Sequence, residues 1–233
     1  MITWNKKYDY KDPVRVDGPT GRMYSVNKEK LPSVTTILGK TRTAEKEANL
    51  AKWRQKVGEI EADKIRDNAA ARGTIMHRIL EGYIKGEGHM DMSELGQEAG
   101  VMAQNLIDSG FKSSIDEVWG MEMMMYYPGL YAGACDIAGI YEGKPAIMDF
   151  KQSNKWKKRE WIDDYFIQTA AYAMAHNHVY GSEINSGVIL ISVKDGPILK
   201  YVSSGKEFQG FMFQWLGRVN KYYELLASGA IVV

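Results

Sequence analysis

The chain has 233 residues, 45% of them hydrophobic and 25% charged, which is material for one large domain or two small ones with an ample core. A formal net charge of +1 excludes a bulk basic field for nucleic acid, so any such binding has to come from a local groove. The lone Cys135 excludes an internal disulfide, a four-cysteine zinc site and an iron–sulfur cluster held within one chain. No stretch is apolar for long enough to span a membrane, and Met1 to Tyr8 lacks a signal core or transit character. The expected setting is therefore a reducing, intracellular one with no membrane association.

Residues 1–30 are turn-rich. The cluster Asp17 to Gly21 and the run Arg22 to Val26 suggest a small hairpin. Leu31 to Gly39 reads as a short helix with Ser33 as N-cap, Val34, Ile37 and Leu38 as its apolar face and Gly39 as its stop. Ser33 and its neighbour Thr35 are either a cap and nothing more or a place where a phosphate is received. Thr43 to about Asn68 reads as one long polar helix with sparse apolar positions. Its basic first half, with Trp53 beside Arg54, is either a solvated face or the lining of a nucleic-acid channel.

A second helix is expected over Ala69 to Ile84. Gly73, His77 and Glu81 recur on one side of it, and a mid-helix glycine is tolerated where something must approach the backbone. His89, His176 and His178 read as loop or surface residues. A third helix spans Asp91 to about Ser109. From Ile115 the period changes to that of a strand, whose methionines fill the core and whose Glu122 needs a partner if buried.

Tyr131 to Tyr141 and Ala146 to Ser153 form a hairpin about Glu142 to Pro145. Side chains alternate along a strand, so Asp149 and Lys151 share a face while Phe150 points into the opposite layer. A two-residue turn sets Asp136 opposite Asp149; a four-residue turn sets it opposite Lys151. In both registers Asp136 joins that face within roughly 5 Å. Crowded carboxylates share a proton or hold a cation, and oxygen donors favour Mg²⁺, with one histidine tilting the preference towards Mn²⁺. A lysine beside them suits the activation of a water for phosphodiester hydrolysis. After the strand comes a basic loop with Lys155, Trp156, Lys157 and Lys158, either solvated or in contact with phosphates and bases. A helix over about Glu160 to Asn177 carries Gln168 and Tyr172 one turn apart among small residues. Strands at Gly187 to Val193 and Pro197 to Val202, and a helix from Phe208 to about Ala227, complete the fold.

The order Gly73 to Glu81, Gly133-x-x-Asp136, Asp149-Phe150-Lys151 and Gln168-x-x-x-Tyr172 resembles the RecB-like branch of the PD-(D/E)XK nucleases. The likeness covers about residues 70–195. The start, Leu31 to Thr35 with Trp53-Arg54 downstream, is similar to the mitochondrial genome-maintenance exonuclease family and its phage relatives. The resemblance implies an α/β (α+β) restriction-endonuclease-like core, a central mixed sheet flanked by helices, with a helical arch before it. It implies one nuclease domain: a hairpin and helical cover over 1–68, a core over 69–204 and a terminal helix over 205–233. It implies metal ligation by His77, Asp136 and Asp149, with the Phe150 carbonyl and, with less weight, Glu122 as further ligands. Lys151 would be the catalytic lysine, and Gln168 and Tyr172 would position the substrate. Asp149 stands where many members have glutamate, and the cysteines that hold an iron–sulfur cluster in some relatives are missing.

The expected function is a Mg²⁺- or Mn²⁺-dependent DNA exonuclease acting on single strands or strand ends in replication, recombination or degradation. The molecule would be a monomer working with replication or recombination proteins, in a bacterial or phage-infected cell rather than an organelle. Two alternatives share the core: a structure-specific endonuclease, and a catalytically silent DNA-end-binding protein.

Overall fold

A computed structural model describes residues 2–12, 14–18 and 21–232. Pro19 and Thr20 of the expected turn lie outside the described residues. Around it stand β2 (Val14–Gly18) and β3 (Gly21–Val26), and β4 (Glu29–Pro32) adds a third antiparallel strand where the sequence suggested a hairpin alone. The tight turn into β4 uses left-handed Asn27 and Lys28 (φ 50° and 71°), which no glycine announced.

The main sheet has the order β1 (Thr3–Trp4), β5 (Ile115–Tyr127), β6 (Tyr131–Tyr141), β7 (Lys144–Ser153), β8 (Ser186–Val193) and β9 (Ile198–Ser204). β5, β6 and β7 are antiparallel hairpin neighbours. β7 and β8 are parallel, so the chain must cross over between them, and α5 (Asp163–Tyr180) does so. The sheet is thus mixed, as expected. Its length-wise apolar strands are covered on both sides. One layer holds α1 (Val34–Lys40), α5 and α6 (Gly205–Ala227), with Phe166, Ala170, Phe208 and Trp215 packed on Ile147, Ile189 and Ile191. The other holds α3 (Glu59–Lys85) and α4 (Glu94–Asp108), with Met76, Leu80, Met102 and Leu106 packed on Met148, Phe150, Val188 and Leu190. Among the described residues no helix is long and apolar enough to cross a membrane.

The helices depart from expectation in two places. The long polar helix divides: α2 (Ala44–Val57) stops at Gly58, whose φ of 88° suits glycine, and α3 then runs unbroken through residues 68–69, where a boundary was expected. α2 buries none of its residues. The periodicity from Leu50 to Ile65 therefore marked two helices meeting, not one. His176 is not a surface residue: it is fully buried in α5, with its ring nitrogens 2.7 Å from the Tyr10 hydroxyl and 2.6 Å from that of Ser182. Burial drives its pKa down to about 4, so it stays neutral and ties residues 8–10 to the helix. His178 ends α5 stacked on Tyr127, and His89 is in an exposed loop.

Candidate active site

The turn between β6 and β7 decides the site's register. Glu142 and Gly143 both have positive φ (45° and 77°), the geometry of a two-residue hairpin turn, and Tyr141 pairs with Lys144. Of the two registers open to the sequence, the one with Asp136 opposite Asp149 is adopted. Regular pairing stops one residue short of it, at Ile137 and Met148. There the Asp136 carboxylate enters the gap and accepts the Phe150 N–H at 2.7 Å. β5 is irregular at the same level. Met121 pairs with Ile137 and Met123 with Cys135, so Glu122 stands opposite Asp136, with φ at 49°. Strict alternation fails here on both strands. Met121 and Ile137 pack towards α3 and α4, whereas Met123 and Cys135, two residues along, pack into the opposite layer. The left-handed residue is a local cost of order 1 kcal/mol that the surrounding sheet over-determines.

Above this break lies a cavity of about 670 Å³. The stripe Gly73, His77 and Glu81 of α3 lines one side, Asp136, Asp149 and Lys151 the floor, and Tyr165, Gln168 and Tyr172 of α5 the other side. The His77 Nε2 lies 2.8 Å from the Phe150 carbonyl. A carbonyl only accepts, so Nε2 carries the hydrogen and Nδ1 is turned to the acids, 3.5 Å from Asp136 and 3.6 Å from Glu122. Burial lowers the imidazole pKa, but Asp136 and Glu122 outweigh it and raise it to about 9. Burial also raises Asp136, although His77 opposes it. Asp149 is raised to about 6, by burial first, against the pull of Lys151 beside it. Lys151 loses by burial and gains more from Asp149 and Asp136, so its pKa rises; its ammonium also sits 5.2 Å from the centre of the Tyr165 ring. The cluster is short of positive charge, and a proton on His77 or a metal ion relieves it.

The donors suit a metal. Ligand atoms of His77, Glu122 and Asp136 all lie within 4.8 Å of one another. The buried Asp149 Oδ2, in ion contact with Lys151, has no aligned hydrogen-bond donor among the described residues. Two carboxylates, one imidazole and a nearby third carboxylate match a hard divalent ion. Glu122, given less weight in the sequence, is a member of this grouping, and Asp149 stands next to it. The Phe150 carbonyl faces the His77 ring.

Other expected residues divide by place. Gln168 donates to the Tyr172 hydroxyl at 3.2 Å, and both are buried at the cavity wall. Gly133 makes room for them: a Cβ there would fall 2.8 Å from Tyr172 Cε1 and 2.9 Å from its hydroxyl. Gly133→Ala should therefore cost about 1–3 kcal/mol of stability and lower turnover by displacing the Gln168–Tyr172 pair. An unchanged melting temperature would show that the ring has room to move. Ser33 and Thr35 line the cavity, but the Ser33 hydroxyl is committed as a cap, accepting the Thr36 N–H at 2.9 Å.

Trp53 and Arg54 are not brought to the cavity. Arg54 is held by Glu59 at 2.7 Å and Asp63 at 3.0 Å, so its charge is spent within α2 and α3. Of the expected hairpin and helical cover over 1–68, the small sheet and the start of α1 line the cavity and α2 does not. No residue of α2 lines the cavity; Arg15, Arg22 and Tyr24 of the small sheet do. Lys155, Trp156, Lys157 and Lys158 also lie outside the lining, in a loop where Trp156 meets Trp161 edge-on and the Lys157 carbonyl accepts from Tyr201. Sequence reasoning missed Arg72. Its buried guanidinium grips the Gln152 side chain at 3.0 and 2.6 Å, and also reaches Asn154 and Glu98, fixing α3 to the end of β7. It also missed Arg15, Arg22, Arg78 and Tyr165 of the cavity wall, since single residues on separate elements carry no pattern.

No family model matches the chain. Mitochondrial genome maintenance exonuclease 1 of Homo sapiens is 26% identical over 91% of this chain and 66% of its own length. The protein of the same name from Xenopus tropicalis is 28% identical over 93% of this chain and 64% of its own length. The chain thus spans just under two thirds of these relatives. A solved structure from Eubacterium rectale, provisionally named an exonuclease, overlaps 64% of each chain at 15% identity with a TM-score of 0.45, too slight a likeness to carry weight. Along nine tenths of its length the chain is thus similar to exonucleases of that name, and its mixed sheet gathers the acids and the lysine at one break.

Proposed function

We propose that the chain is a metal-dependent DNA exonuclease that hydrolyses phosphodiester bonds on single strands or strand ends. The single observation that carries this reading is the convergence of His77, Glu122, Asp136, Asp149 and Lys151 on one cavity. His77, Glu122 and Asp136 would hold Mg²⁺ or Mn²⁺, with Asp149 beside them. The ion would lower the pKa of a water and neutralise charge growing on the phosphoryl oxygens. Lys151, pinned by Asp149 and Tyr165, orients the attacking water or a phosphoryl oxygen. Gln168 and Tyr172 bound the space left to the substrate. DNA is the substrate proposed because the named relatives maintain a genome. Action as a monomer alongside replication or recombination proteins, in a bacterial or phage-infected cell, belongs to the same proposal, and the relatives' mitochondrial names make an organelle the rival setting.

The test compares the wild type with Lys151→Ala on end-labelled single strands and closed circles in Mg²⁺. The wild type should degrade linear strands and spare circles. The variant should lose roughly a hundred- to ten-thousandfold in rate, the range for a lost acid–base group. Equal degradation by both proteins would sink the assignment. Cleavage of circles would make the enzyme a structure-specific endonuclease, and tight end binding without turnover would make it a silent end-binding protein.

A further inference from the structure

The face of the small sheet that looks into the cavity carries an arrangement the catalytic cluster does not use. Arg15 is opposite Tyr24 and Asp17 opposite Arg22 in the β2–β3 register, so the four share one face. Asp17 lies between the two arginines, 2.6 Å from Arg15 and 3.7 Å from Arg22. One carboxylate serves two guanidiniums, and the face keeps a positive charge. The Arg22 Nε is buried and makes no hydrogen bond among the described residues, the Asp17 Oδ1 standing 3.7 Å from it. Across the cavity, Arg78 of α3 makes no salt bridge among the described residues.

The backbone of Arg22 is fixed with unusual completeness. Its N–H donates to Thr36 Oγ1 at 3.0 Å, and its carbonyl accepts from that hydroxyl at 2.9 Å and from the Ser33 N–H at 3.0 Å. Ser33 Oγ donates in turn to Thr36 Oγ1 at 2.9 Å. Gly21, just before it, has φ at 141°, and a Cβ there would lie 2.7 Å from Thr36 Cγ2. Ser33 and Thr36 thus serve to present an arginine, which gives the Ser33 hydroxyl, offered by the sequence together with Thr35 as a phosphate receiver, a positioning role instead.

We propose that Arg22, seconded by Arg15, is a phosphate-binding subsite that holds the nucleic-acid backbone next to the scissile bond, with Ser33 and Thr36 as its positioning residues. The planar guanidinium fork matches two phosphoryl oxygens at once, and its Nε, not hydrogen-bonded among the described residues, is the group such a ligand would satisfy. The proposal rests on the nuclease reading above, and its test separates the two. Binding of a fluorescein-labelled oligothymidylate to the full chain is measured against salt in Ca²⁺, with cleavage in Mg²⁺ followed separately. Arg22→Ala should weaken binding roughly tenfold at low salt and shrink the salt slope by about 0.7, the value for one single-strand phosphate. Arg22→Lys should restore the slope and only part of the affinity. Thr36→Val, which changes no charge, should weaken binding by an intermediate factor. Arg66→Ala, whose guanidinium pairs with Asp63 and Asp67 away from the cavity, should leave affinity and slope as in the wild type. If Arg22→Ala binds with wild-type affinity and slope while the wild type still cleaves, the subsite is wrong and the nuclease reading stands. If the wild type binds no oligothymidylate at any salt, both fall.

Discussion

Asp136→Asn should remove at least a hundredfold of nuclease activity and yet leave the metal-free protein as stable as the wild type, or more so. The activity loss follows from taking a charged donor out of the metal grouping, where several kcal/mol of transition-state stabilisation are at stake. The stability effect follows from the direction of the pKa shift. Burial raises the Asp136 carboxyl above its ordinary value. The folded chain then binds that proton more tightly than the unfolded chain, so at neutral pH the ionised group counts against the fold. Asparagine keeps an oxygen for the Phe150 N–H and sheds the charge. Mg²⁺ gives the second half of the result. A ligand at a hundred times its Kd stabilises by about 2.7 kcal/mol, or roughly 5–10 °C for a chain of this size. That rise should be seen in the wild type and be missing from the variant. A variant that melts well below the wild type without metal, or gains as much from Mg²⁺, would show that Asp136 is a structural acid and not a ligand.

Arg72→Ala is expected to be the most damaging single change outside the site. Arg72 is 5% exposed and joins three elements: α3, the end of β7 through Gln152 and Asn154, and α4 through Glu98. Glu98 retains Lys194 at 3.1 Å when Arg72 is removed, which moderates the loss. The Gln152 oxygen retains nothing comparable. Breaking a buried, hydrogen-bonded charge costs about 2–5 kcal/mol. Activity should fall further than stability accounts for, because His77 rides on α3 and Asp149 on β7, and Arg72 sets their separation. Arg72→Lys should rescue little, since an ammonium cannot reproduce the fork. Melting temperature and turnover at a temperature where the variant is fully folded check both parts. Turnover that merely tracks the folded fraction would reduce Arg72 to a strut.

The sequence by itself determined the strands of the core and the face shared by Asp149 and Lys151. Apolar alternation along Ile147 to Lys151 has one solution at a period of two, and the turn residues at Glu142-Gly143 bound the hairpin. The mixed sheet was implied by the family resemblance alone, and the parallel pairing of β7 with β8 is what the structure supplies. The helical stripe of Gly73, His77 and Glu81 was equally legible, because three residues at intervals of four must share a side. What only the tertiary structure decided is how these pieces meet. Glu122 enters the site through a left-handed break in β5, and nothing local in Met121-Glu122-Met123 demands one. The division at Gly58 was hidden because a glycine inside a polar helix reads the same whether the chain bends there or not. His176 looked like a surface residue because its partners, Tyr10 and Ser182, are supplied by segments outside its own turn of helix. Asp149 and Lys151 line one cavity in ion contact, on the shared face their spacing required. The register with Asp136, the added Glu122 and the arginines facing it came from contacts between residues far apart in the chain, which no periodicity records.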